Sequence, residues 1–135
     1  MAKMTKNIMI VGVGGQGSLL ASKMLGKLLL TQGYDVKVSE VHGMSQRGGS
    51  VVTYVRYGEK VYSPVIDEGT ADFIISFEKL EAARWVPYLK KGGKIILFGG
   101  TRTESIRVCR KNTAYGSAKT GLSVLIKSVA AEYDK

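Results

Sequence analysis

Apolar positions change their spacing several times along the chain, and each change marks an element. Residues 7–13 (Asn-Ile-Met-Ile-Val-Gly-Val) form an unbroken β-rich run without alternation, which predicts a strand buried on both faces. From residue 18 to about 32, Leu19, Leu20, Met24, Leu28 and Leu29 recur at helical spacing. Lys23 and Lys27 lie one turn apart on the other face, and Gly33 marks the stop. Residues 34–40 alternate through Tyr34, Val36 and Val38, predicting a second strand. The three elements make a βαβ unit, the building block of a largely parallel sheet.

Further along, residues 50–57 read as a strong strand, and Gly58-Glu59 as a tight turn into Lys60-Val61-Tyr62. Residues 50–62 are therefore expected to form a hairpin, ended by Pro64. Residues 72–77 predict another buried strand. Residues 78–89 predict an amphipathic helix with Leu80, Ala83 and Val86 on one side and Pro87 limiting the last turn. Lys90 to Gly93 reads as a turn, and residues 94–98 as a strand. Residues 99–121 show few apolar positions and no period, which is unusual inside a compact domain. Leu122, Leu125, Ile126, Val129 and Tyr133 then recover the spacing of a closing helix over about 122–133. The expected class is α/β: a Rossmann-like, mostly parallel sheet with flanking helices and one hairpin.

Composition narrows the chemistry. A chain of 135 residues with 44% hydrophobic content suits one globular domain. No apolar run approaches a transmembrane span, so no membrane is expected. The short apolar run near the N-terminus leads into a glycine loop rather than a cleavage site. It reads as the first strand, and the expected location is cytoplasmic. Cys109 is the one cysteine, which excludes an internal disulfide and a thiolate zinc site, and an iron–sulfur cluster takes about four thiolates. The net charge of +9 suggests nucleic acid, but the basic residues are scattered and follow no recognition motif. A basic surface facing an acidic partner subunit or a phosphorylated ligand fits equally well.

Two glycine-rich segments carry the candidate chemistry. Gly12, Gly14 and Gly17, with Gly15 and Gln16 between them, satisfy G-x-G-x-x-G after a strand and at a helix start. Such a turn can present backbone N–H groups to a phosphate, or it can simply allow close packing. Gln16 can tie the turn to a neighbour or a ligand. Glu40 stands where a dinucleotide site would want its ribose-binding acid. It can equally fix the following loop by accepting that loop's N–H groups. Residues 40–51 read Glu-Val-His-Gly-Met-Ser-Gln-Arg-Gly-Gly-Ser-Val. Here Gly43, Gly48 and Gly49 allow sharp turns and close approach, His42, Ser45 and Gln46 offer hydrogen bonds, and Arg47 can grip a carboxylate or phosphate. His42 can instead be a structural histidine, and Arg47 a solvated or interface ion pair. The most that catalysis could claim here is Arg47 and His42. No nucleophile–base–acid triad and no metal site is legible.

The pair 12–17 and 40–51 resembles the gamma domain of the 2-oxoacid:ferredoxin oxidoreductases. With Ser63-Pro64, Gly69-Thr70-Ala71-Asp72 and Phe77-Glu78-Lys79-Leu80-Glu81-Ala82, the wording is most similar to the beta subunit of indolepyruvate ferredoxin oxidoreductase. The resemblance covers about residues 6–98. It implies an α/β domain, residues 1–98, that binds no cofactor alone. It also implies a larger catalytic partner subunit carrying thiamine diphosphate and iron–sulfur clusters, with coenzyme A as acyl acceptor and ferredoxin as electron acceptor. The assembly would oxidatively decarboxylate a 2-oxo acid to its coenzyme A thioester. The chain has no Gly-Asp-Gly segment followed by paired asparagines, the thiamine diphosphate signature of that class. Residues 99–135 depart from the family's pattern and are expected to be an atypical tail. The alternative readings are a free-standing NAD(P)- or FAD-binding Rossmann domain and a pure interaction module.

Overall fold

A computed structural model describes residues 4–42 and 49–98. The expected tail, 99–135, and its closing helix lie outside the described residues. Among the described residues five strands form one sheet: β1 (Lys6–Val13), β2 (Asp35–His42), β3 (Ser50–Gly58), β4 (Ala71–Ser76) and β5 (Leu89–Leu97), in the order β2-β3-β1-β4-β5. Helix α1 (Ser18–Thr31) links β1 to β2, and α2 (Lys79–Trp85), followed by a 3-10 turn (Val86–Tyr88), links β4 to β5. Strand β1 is central, and Met9, Ile10 and Val11 are fully buried, as a run without alternation requires. Its two faces feed separate apolar layers. Ile8 and Ile10 pack with Val55 and with Leu25 and Leu29 of α1, while Met9 and Val11 pack with Val52, Ile74 and Trp85 of α2.

The α/β class holds, and the sheet is mixed. β1 pairs parallel with β4, and β4 with β5, while β3 pairs antiparallel with both β1 and β2. The hairpin expected over 50–62 does not form, because both edges of β3 are already occupied along its length. The antiparallel connection lies one loop earlier, between β2 and β3. Strand β2 runs to His42, so Glu40 sits inside the strand and not at its end. Strand β5 starts earlier than expected, with a bulge after Leu89 where Gly92 takes φ 75°.

Helix α1 inverts the expected face. Ser18, Ser22 and Gly26 are its buried positions, whereas Leu20, Met24 and Leu28 are 57–66% exposed. Small residues at four-residue spacing let the helix approach the sheet closely. A Cβ at Gly26 would already lie 3.4 Å from Cγ2 of Val38. The helix ends in a Schellman turn: Gly33 has φ 78°, its N–H donates to Leu30 O, and Tyr34 N–H donates to Leu29 O. Helix α2 is also shorter than expected and buries Glu81 and Ala82, while Leu80 points outward.

The amino end of β1 is closed by polar contacts. The Asp72 carboxylate accepts from the Asn7 N–H at 2.8 Å, from Lys6 Nζ at 3.3 Å and from Lys90 Nζ. Burial opposes ionisation of Asp72, but the hydrogen bonds from Lys90, Asn7 and Lys6 outweigh it and hold the carboxyl below the ordinary carboxylate range. Its contribution is therefore complete above the unfolded-state pKa, about 3.9, and is lost as pH falls through the lower folded value. Asp72→Asn should lower stability by about 2 kcal/mol near neutral pH and flatten the acid limb. Urea melts between about pH 2 and 7 test this; an acid limb as steep as in the parent would refute it.

Candidate functional site

The carboxyl ends of β1, β2 and β4 gather at one rim of the sheet, where open α/β folds place their sites. The glycine turn leaves β1 there. Gly15 and Gly17 take φ of 91° and 84°, a left-handed conformation that side chains with a Cβ rarely adopt. Gly12 serves close approach instead: a Cβ on it would lie 2.8 Å from Gln16 Oε1 and 3.3 Å from the Phe77 Cβ. Gln16 folds back on its own turn, its amide oxygen accepting the Val13 N–H at 3.0 Å. The Gln16 N–H donates to Val13 O, and the Gly14 N–H donates to Gly49 O at 3.0 Å. Three N–H groups that a phosphate cradle would use are therefore already taken inside the chain.

The Gly14–Gly49 bond joins the two glycine-rich segments directly. The register explains it: Val13 stands opposite Ser50, and Gly12 opposite Val51, which on its other side faces His42. Gly12, Gly14 and Gly49 are thus brought together, with His42 two strands away in the same row. Gly43, Ser45, Gln46, Arg47 and Gly48 lie outside the described residues. Glu40 is half-buried within β2, opposite Thr53, which faces Ile10. A dinucleotide domain places its acid on a strand beside β1. Here β3 intervenes, and two ladder spacings of about 4.8 Å each separate β2 from β1.

Two carboxylates that pattern reading did not single out complete the rim. Glu78 caps α2, accepting the N–H groups of Leu80 at 2.7 Å and Glu81 at 3.0 Å. Glu81, only 4% exposed, accepts from Ser50 Oγ at 2.5 Å and from Trp85 Nε1 at 3.2 Å, and pairs with Arg84 Nε at 3.3 Å. The usable signal was a glutamate beside Ala82 on the side of a short helix that must face the sheet. Among the described residues no three of His, Cys, Asp and Glu cluster as metal ligands, and no helix is long and apolar enough to cross a membrane.

The Gln16 clasp has a direct test. Gln16→Ala should leave the Val13 N–H without its acceptor and lower stability by about 1–2 kcal/mol. Gln16→Glu keeps an acceptor and adds a negative charge at the start of α1, where the helix dipole favours it. Its melting temperature should stay close to the parent's, and equal losses in the two variants would disprove the clasp.

Comparison with known proteins bears on the family and the fold. Residues 7–132 match the family described as Pyruvate ferredoxin/flavodoxin oxidoreductase. Indolepyruvate oxidoreductase subunit IorB of Thermococcus kodakarensis is 60% identical over 89 residues, 66% of this chain and 44% of that protein. Its namesake in Methanothermobacter thermautotrophicus is 44% identical over 94 residues, 70% of this chain and 47% of that protein. The chain thus spans less than half the length of these relatives. The keto/oxoacid ferredoxin oxidoreductase gamma subunit of Geobacter sulfurreducens superposes with a TM-score of 0.55 at 22% identity, covering 68% of this chain and 50% of that one. The 2-oxoglutarate:ferredoxin oxidoreductase of Magnetococcus marinus superposes with a TM-score of 0.62 at 18% identity, covering 78% of this chain and 18% of that one. At such identities the structural likeness speaks for the fold. The family match takes in most of the sequence, and the chain belongs to the pyruvate ferredoxin/flavodoxin oxidoreductase family.

Proposed function

We propose that this chain is a subunit of a 2-oxoacid:ferredoxin oxidoreductase of the indolepyruvate type. The assembly oxidises and decarboxylates an aryl 2-oxo acid, passes the acyl group to coenzyme A and the electrons to ferredoxin. The observation that carries the reading is the 60% identity over 89 residues to an indolepyruvate oxidoreductase subunit. The described residues do not fit the redox groups of such an enzyme. They offer no ligand cluster, and the sequence holds one cysteine where a cluster takes about four. In this reading thiamine diphosphate and the iron–sulfur clusters belong to a larger partner subunit, and no chemical step is assigned to this chain alone. Its part is to offer the rim of Gly12, Gly14, Gly15, Gln16, Gly17, Glu40, His42 and the 43–49 loop to that subunit. Arg47 is the side chain best suited to a partner's carboxylate or a ligand's phosphate, because a guanidinium forks where an ammonium cannot.

Co-expression with a thiamine-binding, cysteine-rich large subunit tests the proposal. The purified complex should reduce ferredoxin or a viologen dye only when an aryl 2-oxo acid and coenzyme A are both present. The isolated chain should be inactive. Turnover by the chain alone, or a complex indifferent to every 2-oxo acid offered, would remove the subunit reading.

The competing dinucleotide reading predicts a different result. With the N–H groups of Val13, Gly14 and Gln16 occupied internally and β3 between β1 and β2, NADH should bind weakly. A fluorescence titration should give a dissociation constant well above about 10 μM, near 7 kcal/mol. Tighter binding would restore the dinucleotide domain.

A further inference from the structure

We infer that Glu81 is a positioning residue for the rim: by holding Ser50 it sets where Gly49 enters β3 and meets the glycine turn. As a statement about activity this rests on the proposed subunit reading; as a statement about the rim it does not. The argument starts from the loop's own composition. Its return reads Gly48-Gly49-Ser50. The two glycines have no side chain with which to anchor the backbone, so Ser50 is the first residue able to do so. Ser50 Oγ donates to Glu81 Oε2 at 2.5 Å. The residue before it, Gly49, supplies the carbonyl that accepts the Gly14 N–H. One hydrogen bond therefore stands next to the contact joining the two segments.

Glu81 is committed to this contact by its other partners. Trp85 and Arg84 belong to its own helix, so among the described residues Ser50 is the side chain that ties it to another element. Its own N–H is fixed by Glu78, whose backbone is in turn held by Ser76 Oγ. A buried carboxylate is an expensive way to dock a seven-residue helix, since an apolar pair of similar size does as well or better. What an apolar pair cannot do is hold the hydroxyl of Ser50 in one direction.

The test uses the full chain and then the assembled enzyme, with Ser50→Ala, Glu81→Gln, their combination, and Ser50→Thr as the conservative rescue. In the full chain, amide exchange of Gly14 should speed about tenfold in Ser50→Ala and Glu81→Gln. Val11 should stay at the parent's rate. The double variant should be no faster than either single one, as members of one network behave. Ser50→Thr, which keeps a hydroxyl at a strand position, should exchange like the parent. In the complex, Ser50→Ala should alter the ratio of kcat to KM, and Ser50→Thr should restore it. Unchanged Gly14 exchange, or exchange that rises equally at Gly14 and Val11 with a fall in melting temperature, would show that Glu81 only docks α2. If exchange responds as expected while the parent complex has no 2-oxo-acid activity, the positioning role stands and the subunit reading fails.

Discussion

The ladder between β1 and β3 is the constraint on which the remainder depends. Eight residue pairs, from Lys6 opposite Tyr57 to Val13 opposite Ser50, put an antiparallel strand beside the central one. Strand β2 must then pair on the far side of β3. Gly49, just before β3, is thereby placed at the carboxyl end of β1, where the glycine turn begins. The Gly14–Gly49 bond is a consequence of that register. A parallel β1–β2 pair would have placed Glu40 beside β1 instead of opposite Thr53.

The same ladder settles how the helices pack. With β3 inserted, α1 spans three strands and has to lie close to them. Ser18, Ser22 and Gly26 supply the narrow seam, and Leu25 and Leu29 fill its sides. The larger apolar residues Leu20, Met24 and Leu28 are left on the outer side. On the other face α2 is a short helix of seven residues. Trp85 packs it against the sheet and Glu78 caps it.

The two ends of the sheet are built from different materials. At the amino end of β1, Asp72 gathers a backbone N–H and two lysines, while Asn7 accepts from Arg56 and donates to Thr70 O. Those groups lock the segment that crosses from β3 to β4, for Arg56 also donates to the carbonyls of Ser63 and Val65. At the carboxyl end the Gly14–Gly49 backbone bond joins two side-chain bonds, Gln16 to the Val13 N–H and Ser50 to Glu81.

The sequence by itself determined the α/β class, the central strand, the stop of α1 at Gly33 and the two glycine-rich segments. Each rests on local chemistry: an apolar run without alternation, a glycine that reaches positive φ, and a cluster of polar residues that no core would bury. The motif wording likewise carried the family resemblance. Tertiary structure alone decided the rest. Helical spacing could not tell the inner face of α1 from the outer, because leucines satisfy the same period as the serines and glycine that the sheet required. Local pattern could not place β3 between β1 and β2, since pairing is a contact between residues distant in sequence. For the same reason Glu81 escaped notice. Its role exists only because Ser50, 31 positions earlier, is folded against it.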